Sequence, residues 1–121
     1  MAGKKTLVLG ASQNPARYSY LAIQRLNAHK HPVVAVGRRE GNVDGIPIHK
    51  EKLQTEDIDT VTLYLNPQHQ VEYYDYILGL KPKRIIFNPG TENDDLIKLA
   101  EENKIEPYVG CTLVMLSTGQ Y

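Results

Sequence analysis

The sequence predicts an α/β domain of three layers. A parallel sheet carries helices on both faces in a Rossmann-like arrangement, with strand order 3-2-1-4-5-6 and a short third strand. Three observations carry this. Short uncharged aliphatic runs recur along the chain, as strands buried on both faces require. Amphipathic stretches of about 10 to 13 residues alternate with them, which makes the crossovers helical and the sheet parallel. The first run turns on a glycine directly into a helix. With 121 residues and 41% apolar content, one domain over residues 1–121 is expected.

The first strand, Thr6–Leu9, is β-branched and aliphatic. Gly10 allows a sharp turn, and Ala11 and Ser12 keep it small. Asn14 is expected to cap a helix with Pro15 at its first position, where the missing N–H would have no partner anyway. The periodic part of that helix covers residues 17–29, with Tyr18, Leu21, Ala22 and Leu26 on one face and Pro32 as its stop. Val33–Val36 is the second strand and ends at Gly37-Arg38-Arg39. A glycine-punctuated loop over 40–45 leads to the short third strand, Ile46–His49. Residues 51–57 predict a short exposed helix. Residues 61–65 form the fourth strand, ending at Asn66-Pro67. The next helix runs to Leu78, with Val71, Tyr74 and Leu78 on one face and Gly79 as its stop. Arg84–Phe87 is the fifth strand and ends at Asn88-Pro89-Gly90. Thr91 with Asp94 resembles a capping box, opening a helix over about residues 92–103. Glu106–Val109 is the last strand, left through Gly110-Cys111-Thr112.

Composition narrows the function classes. The 14 basic and 14 acidic side chains cancel, which argues against a nucleic-acid or membrane surface. No apolar run approaches the roughly 20 residues of a membrane helix. Met1 leads almost at once into the first strand, so no signal peptide is expected. One cysteine excludes an internal disulfide framework and fits the cytoplasm. His29, His31, His49 and His69 form no ligand pattern, and Cys111 lacks a CxxC partner, so no metal is expected.

The opening strand, turn and helix start would present free backbone N–H groups and the positive end of a helix dipole, a place for phosphate. Three strands lead into Asn-Pro, at Asn14-Pro15, Asn66-Pro67 and Asn88-Pro89. All lie at the C-terminal edge of the sheet, where open α/β sheets bind ligands. Helix capping explains each pair taken alone; the shared edge favours a ligand. Lys4, Lys5, Lys30, Lys81, Lys83 and Arg84 fall at the opposite edge and read as solvated, whereas Arg17, Arg38 and Arg39 are on the ligand edge. The turn is not G-x-G-x-x-G, and no Asp or Glu ends the second strand to take a ribose hydroxyl. Arg38 and Arg39 stand there and suit a phosphate on the ribose, as in NADP or the 3′-phosphoadenosine of coenzyme A; two solvated loop arginines are the plain alternative.

These residues resemble a known family. Gly10-Ala11-Ser12-x-x-Pro15-x-Arg17-Tyr18-Ser19, the strand Val33–Val36, Gly45-Ile46-Pro47-Ile48, the strand entry Asp59-Thr60-Val61, and Cys111 after the last strand are together similar to the small free-standing CoA-binding domain proteins. That group is Rossmann-like and similar to the CoA-binding domain of succinyl-CoA synthetase. The resemblance implies that Gly10 to Arg17, with Tyr18, hold the CoA diphosphate. It implies that Gly37, Arg38 and Arg39 lie by the adenosine end. It further implies that Leu65, Asn66 and Pro67 line the adenine or diphosphate cleft, and that Asn88, Pro89 and Gly90 lie towards pantetheine. The chain departs from the family pattern in two places. Many relatives have Asn-Pro where this chain has Gly37-Arg38-Arg39, and many carry Gln before the glycine where it has Asn88-Pro89-Gly90.

No catalysis is expected. Cys111 reads as a small packed residue rather than a nucleophile, and His69 as solvent-facing rather than ligand-orienting. The phosphohistidine chemistry of succinyl-CoA synthetase would need a further domain. Tyr20, Tyr73, Tyr74 and Tyr76 read as packing rather than as an aromatic cage. The expectation is therefore non-catalytic binding of coenzyme A or an acyl-CoA. The alternatives are an NADP-binding module or small reductase, and an interaction subunit with a vestigial nucleotide pocket. A homodimer or a partner enzyme is compatible with the sequence.

Overall fold

The computed structural model describes residues 3–121. The expectation of a chain without a targeting segment falls partly on Met1 and Ala2, outside the described residues. Strands β1 (Thr6–Leu9), β2 (Val33–Val36), β4 (Ile46–His49), β5 (Thr60–Leu63), β6 (Arg84–Phe87) and β7 (Glu106–Val109) form the parallel part of one sheet. Along the chain, β2 and β4 are separated by β3 (Gly41–Val43), which is antiparallel to β4 and lies on its outer side. The sheet order is β3-β4-β2-β1-β5-β6-β7. The expected order is thus present, with β3 added at one edge. The loop expected over residues 40–45 is a hairpin turning through Asp44 and Gly45, both at positive φ; Gly41-Asn42-Val43 is too short and polar to show strand periodicity.

Alternation along the strands splits the core into two. Leu7, Leu9, Val61, Leu63, Ile85 and Phe87 pack against α3 (Tyr74–Leu80) and α4 (Asp94–Glu102). Val8, Ala35 and Ile48 pack against α1 (Tyr18–Ala28) and α5 (Thr112–Ser117). This is the expected three-layer architecture, with β1 buried on both faces.

Several local expectations are corrected. Asn14 does not cap α1. Its carbonyl accepts from Arg17 N–H at 3.0 Å and its side chain accepts from Ala16 N–H at 3.0 Å. Pro15 therefore occupies a turn ahead of the helix, a position its fixed φ also suits. Helix α1 buries Ser19, Ala22, Ile23 and Leu26, whereas Tyr18 is 72% exposed. Residues 51–57 are not helical. The single helix expected after β5 is instead α2 (Pro67–Gln70), a 3₁₀ turn (Val71–Tyr73) and α3. The buried residues there are Gln70, Tyr73, Tyr76 and Ile77, not the expected stripe of Val71, Tyr74 and Leu78. Gly79 stays inside α3, and Lys81, at φ 51°, ends it. Asn93, not Thr91, caps α4, accepting from Asp95 N–H and Leu96 N–H. Lys4, Lys5 and Arg84 are not merely solvated. Lys4 Nζ and Arg84 Nη2 donate to the backbone oxygen of Tyr121, and Lys5 Nζ donates to that of Glu56. Among the described residues, no helix is long and apolar enough to cross a membrane.

Candidate ligand cavity

The ends of β1, β2, β5 and β6 open into a cavity of about 850 Å³ at the C-terminal edge of the sheet. Gly10, Ala11, Ser12, Asn14, Arg17 and Tyr18 form one wall, and Arg38 and Arg39 another. Leu65 and Asn66 line it from β5, and Pro89 and Gly90 from β6. Four expected site residues are not in the lining. Pro15 sits in the exposed turn. Gly37 is buried beneath Ala11. Pro67 is the first residue of α2, whose cap Asn66 accepts from His69 N–H at 3.0 Å. Asn88 is 2% exposed, and its side chain is fully engaged. Its Nδ2 donates to Thr62 Oγ1 at 2.7 Å and to the Leu63 carbonyl at 2.8 Å, and its Oδ1 accepts from Thr112 N–H at 2.9 Å. Asn88 thus braces β6 to β5 and α5 rather than facing a ligand.

The backbone donors of the first loop are divided unevenly. Gly10 and Ala11 N–H both donate to the Val36 carbonyl, at 2.9 and 3.0 Å, so they tie β1 to β2. Asn14 N–H goes to Ser12 Oγ at 3.1 Å. The N–H groups of Ser12, Gln13, Tyr18 and Ser19 have no partner among the described residues, and all four residues line the cavity. Two of them open α1, an 11-residue helix, where unpaired N–H groups and the helix dipole both favour an anion. Ser19 is only 3% exposed, and its hydroxyl has no hydrogen-bond partner among the described residues.

The charge of the mouth is uneven too. Arg17, Arg38 and Arg39 face it, with Glu40 as its one carboxylate and His69 beside Asn66. Among the described residues the ion pair found joins Lys83 to Asp59, far from the mouth in the fold. The three guanidinium groups are therefore left without carboxylate partners.

Sequence reasoning did not place Ser19, Glu40, Tyr64 or Thr91 in the lining, reached Gln13 only as part of the loop Gly10 to Arg17, and read His69 as solvent-facing. Ser19 was visible within the motif that carries the family resemblance. Thr91 is placed by a hub with no sequence signal. Gln70, fully buried, donates through Nε2 to the Leu65 and Thr91 carbonyls, both at 2.8 Å, and accepts at Oε1 from Asn93 Nδ2 at 2.9 Å. It fixes two cavity walls to each other. The Tyr64 hydroxyl is buried without a partner, and burial pushes its titration well above the usual tyrosine range. Cys111 is half-buried at the N-cap of α5 and outside the lining.

Residues 4–117 match the model of a family described as "CoA binding domain". The chain belongs to this CoA-binding domain family. A solved structure described as an uncharacterized protein is 56% identical, with each chain fully covered and a TM-score of 0.96. A hypothetical protein from Pyrococcus horikoshii OT3 is 24% identical over 96% of this chain and 83% of its own, with a TM-score of 0.86. A protein from Thermus thermophilus is 18% identical over 98% of this chain and 91% of its own, also at 0.86. The last two share the fold. No curated protein matches the chain.

Proposed function

We propose that the protein binds coenzyme A or an acyl-CoA without transforming it. The diphosphate lies against residues 12–19, and the 3′-phosphate of the adenosine meets Arg38 and Arg39. The observation that carries this reading is one cavity wall in which the Ser19 hydroxyl, without a hydrogen bond among the described residues, stands with the unpaired amides of Ser12, Gln13, Tyr18 and Ser19. A phosphate oxygen accepts from this hydroxyl and from the amides together. The arginines supply charge-assisted donors suited to a second phosphate. Leu65, 8% exposed, offers an apolar surface to the adenine, and Pro89 to Thr91 continue the cavity in the direction assigned to pantetheine.

The non-catalytic part of the reading rests on the donor set. Arginines and unpaired amides hold anions. Glu40 has no second carboxylate in the lining with which to divide acid and base roles, and the thiol of Cys111 lies outside it. Calorimetric titration with CoA, acetyl-CoA and NADPH is the test. CoA or acetyl-CoA should bind more tightly than NADPH. Absence of heat with both thioester and thiol forms, or tighter NADPH binding, overturns the ligand. Release of free thiol from acetyl-CoA in proportion to protein overturns the absence of chemistry.

A further inference from the structure

The arginine turn and the phosphate-facing loop are separate segments, and a single side chain links them across the cavity mouth. Residues 38–40 make no hydrogen bond to the rest of the chain among the described residues. They are held only at their ends. On one side Gly37 N–H donates to the His49 carbonyl at 2.9 Å. On the other, Asn42 stands opposite Pro47 in the β3–β4 register. Proline has no N–H to offer, and Asn42 N–H goes outwards, to Gln13 Oε1 at 3.3 Å. Gln13 belongs to the loop after β1. Its carboxamide packs on Gly41 so closely that a Cβ there would stand 2.7 Å from Oε1.

We infer that Gln13 is a positioning residue for the arginine turn, setting the spacing between the amides of residues 12–19 and the guanidinium groups of Arg38 and Arg39. A ligand that carries phosphate at both places is bound well only when that spacing is fixed beforehand, because otherwise binding must order the turn. Gln13 thereby determines specificity for a nucleotide with a phosphorylated ribose over the same nucleotide without that phosphate. This rests on the reading of Arg38 and Arg39 as the 3′-phosphate contact. Glycine at 41 is part of the same device, since it leaves room for the carboxamide.

The test compares the dissociation constants of CoA and dephospho-CoA for the full chain and for Gln13→Ala and Gly41→Ala. Gln13→Ala removes the acceptor; Gly41→Ala displaces it without touching Gln13. For both variants CoA should weaken roughly three- to tenfold, the span of one hydrogen bond, and more than dephospho-CoA does. The Asn42 amide should exchange faster with solvent in both. An unchanged ratio, an equal loss for both ligands, or a lowered ratio with undisturbed Asn42 exchange overturns the role of Gln13. A parent chain that binds CoA and dephospho-CoA equally removes the arginine reading itself and this proposal with it. A parent chain that discriminates alongside variants that discriminate as well removes only the proposal.

Discussion

A methyl group built on Gly37 would stand 2.2 Å from the carbonyl oxygen of Ala11. The turn after β2 therefore lies directly on the turn after β1, and the Gly10 and Ala11 amides complete the junction through the Val36 carbonyl. The obstacle is backbone, so no side-chain rotation relieves it. Gly37→Ala should cost about 1–3 kcal/mol, as overpacking does, and should move the arginines away from the first loop. Urea unfolding is expected to show the loss, and CoA titration a larger loss of affinity than of affinity for ADP. A variant as stable as the parent, with intact CoA affinity, contradicts the close approach.

Arg38 and Arg39 are exposed and lack carboxylate partners among the described residues, so they hold up little of the fold. Replacing both with Ala should leave the unfolding midpoint almost unchanged. It should weaken CoA by roughly ten- to a hundredfold, the range of charge-assisted hydrogen bonds, with dephospho-CoA much less affected. Equal losses for the two ligands would show that the arginines do not read the 3′-phosphate.

Ser19 offers a cleaner probe of the diphosphate end than the glycines do. Its hydroxyl has no partner among the described residues, so Ser19→Ala breaks no bond seen there and should be neutral or slightly stabilising for the free protein. Binding of ADP and of CoA should fall together by roughly tenfold. A stability loss with unchanged ADP binding would assign the hydroxyl to the fold instead.

Gln70 presents the opposite case. Its carboxamide satisfies the Leu65 and Thr91 carbonyls and receives Asn93, which in turn caps α4 and donates to Tyr74 at 2.8 Å. Gln70→Leu keeps the volume and leaves two buried carbonyls and an amide short of partners, at about 1–3 kcal/mol for each unsatisfied group. The expected result is a destabilisation of at least about 3 kcal/mol in urea unfolding, accompanied by weaker CoA binding as the Leu65 and Thr91 walls separate. A variant within 0.5 kcal/mol or so of the parent would mean that water replaces the carboxamide.

The contrast between Ser19 and Gln70 shows what the sequence displays and what it conceals. The parallel strands were legible because Leu7, Val8 and Leu9, or Ile85, Ile86 and Phe87, are apolar on both faces, which only a covered sheet tolerates. The edge on which ligands meet the sheet followed from topology, and the resemblance to the CoA-binding family, read on that edge, named twelve of the lining residues. Three identical Asn-Pro pairs, however, take three different roles. Asn66 caps a helix, Asn14 shapes a turn before one, and Asn88 is a buried brace. Local chemistry permits all three, and only the partners, distant in sequence, decide among them. Gln70 and Asn93 were hidden for the same reason, since buried carboxamide networks have no period. The β3 hairpin escaped notice because its pairing depends on Asp44 at φ 50° and Gly45 at φ 86°, not on hydrophobic alternation.

At the opposite edge of the sheet, His31 links the first strand to the end of the chain. Its Nδ1 accepts from Lys4 N–H at 2.9 Å, and its ring lies 4.8 Å from that of Tyr121. Arg84 stands 4.4 Å over the other ring system and donates to the Tyr121 backbone oxygen. Burial lowers the titration of His31 below its usual value, the nearby charges of His29, Lys4 and Arg84 lower it further, and Asp59 opposes them. Protonated Nδ1 would also face the Lys4 N–H as donor against donor. With the folded value below the unfolded one, the unfolded chain binds more protons in the interval between them, so stability rises with pH there. The contribution is intact above about pH 6.5, the unfolded value, and is lost as pH falls towards the folded value. Urea midpoints should therefore decline on acidification through this window more steeply for the parent than for His31→Gln, whose carboxamide oxygen still accepts from Lys4 without titrating. Parallel curves for the two proteins would place the acid sensitivity elsewhere, because losing the ring contact with Tyr121 lowers the midpoint of the variant at every pH and leaves its slope alone.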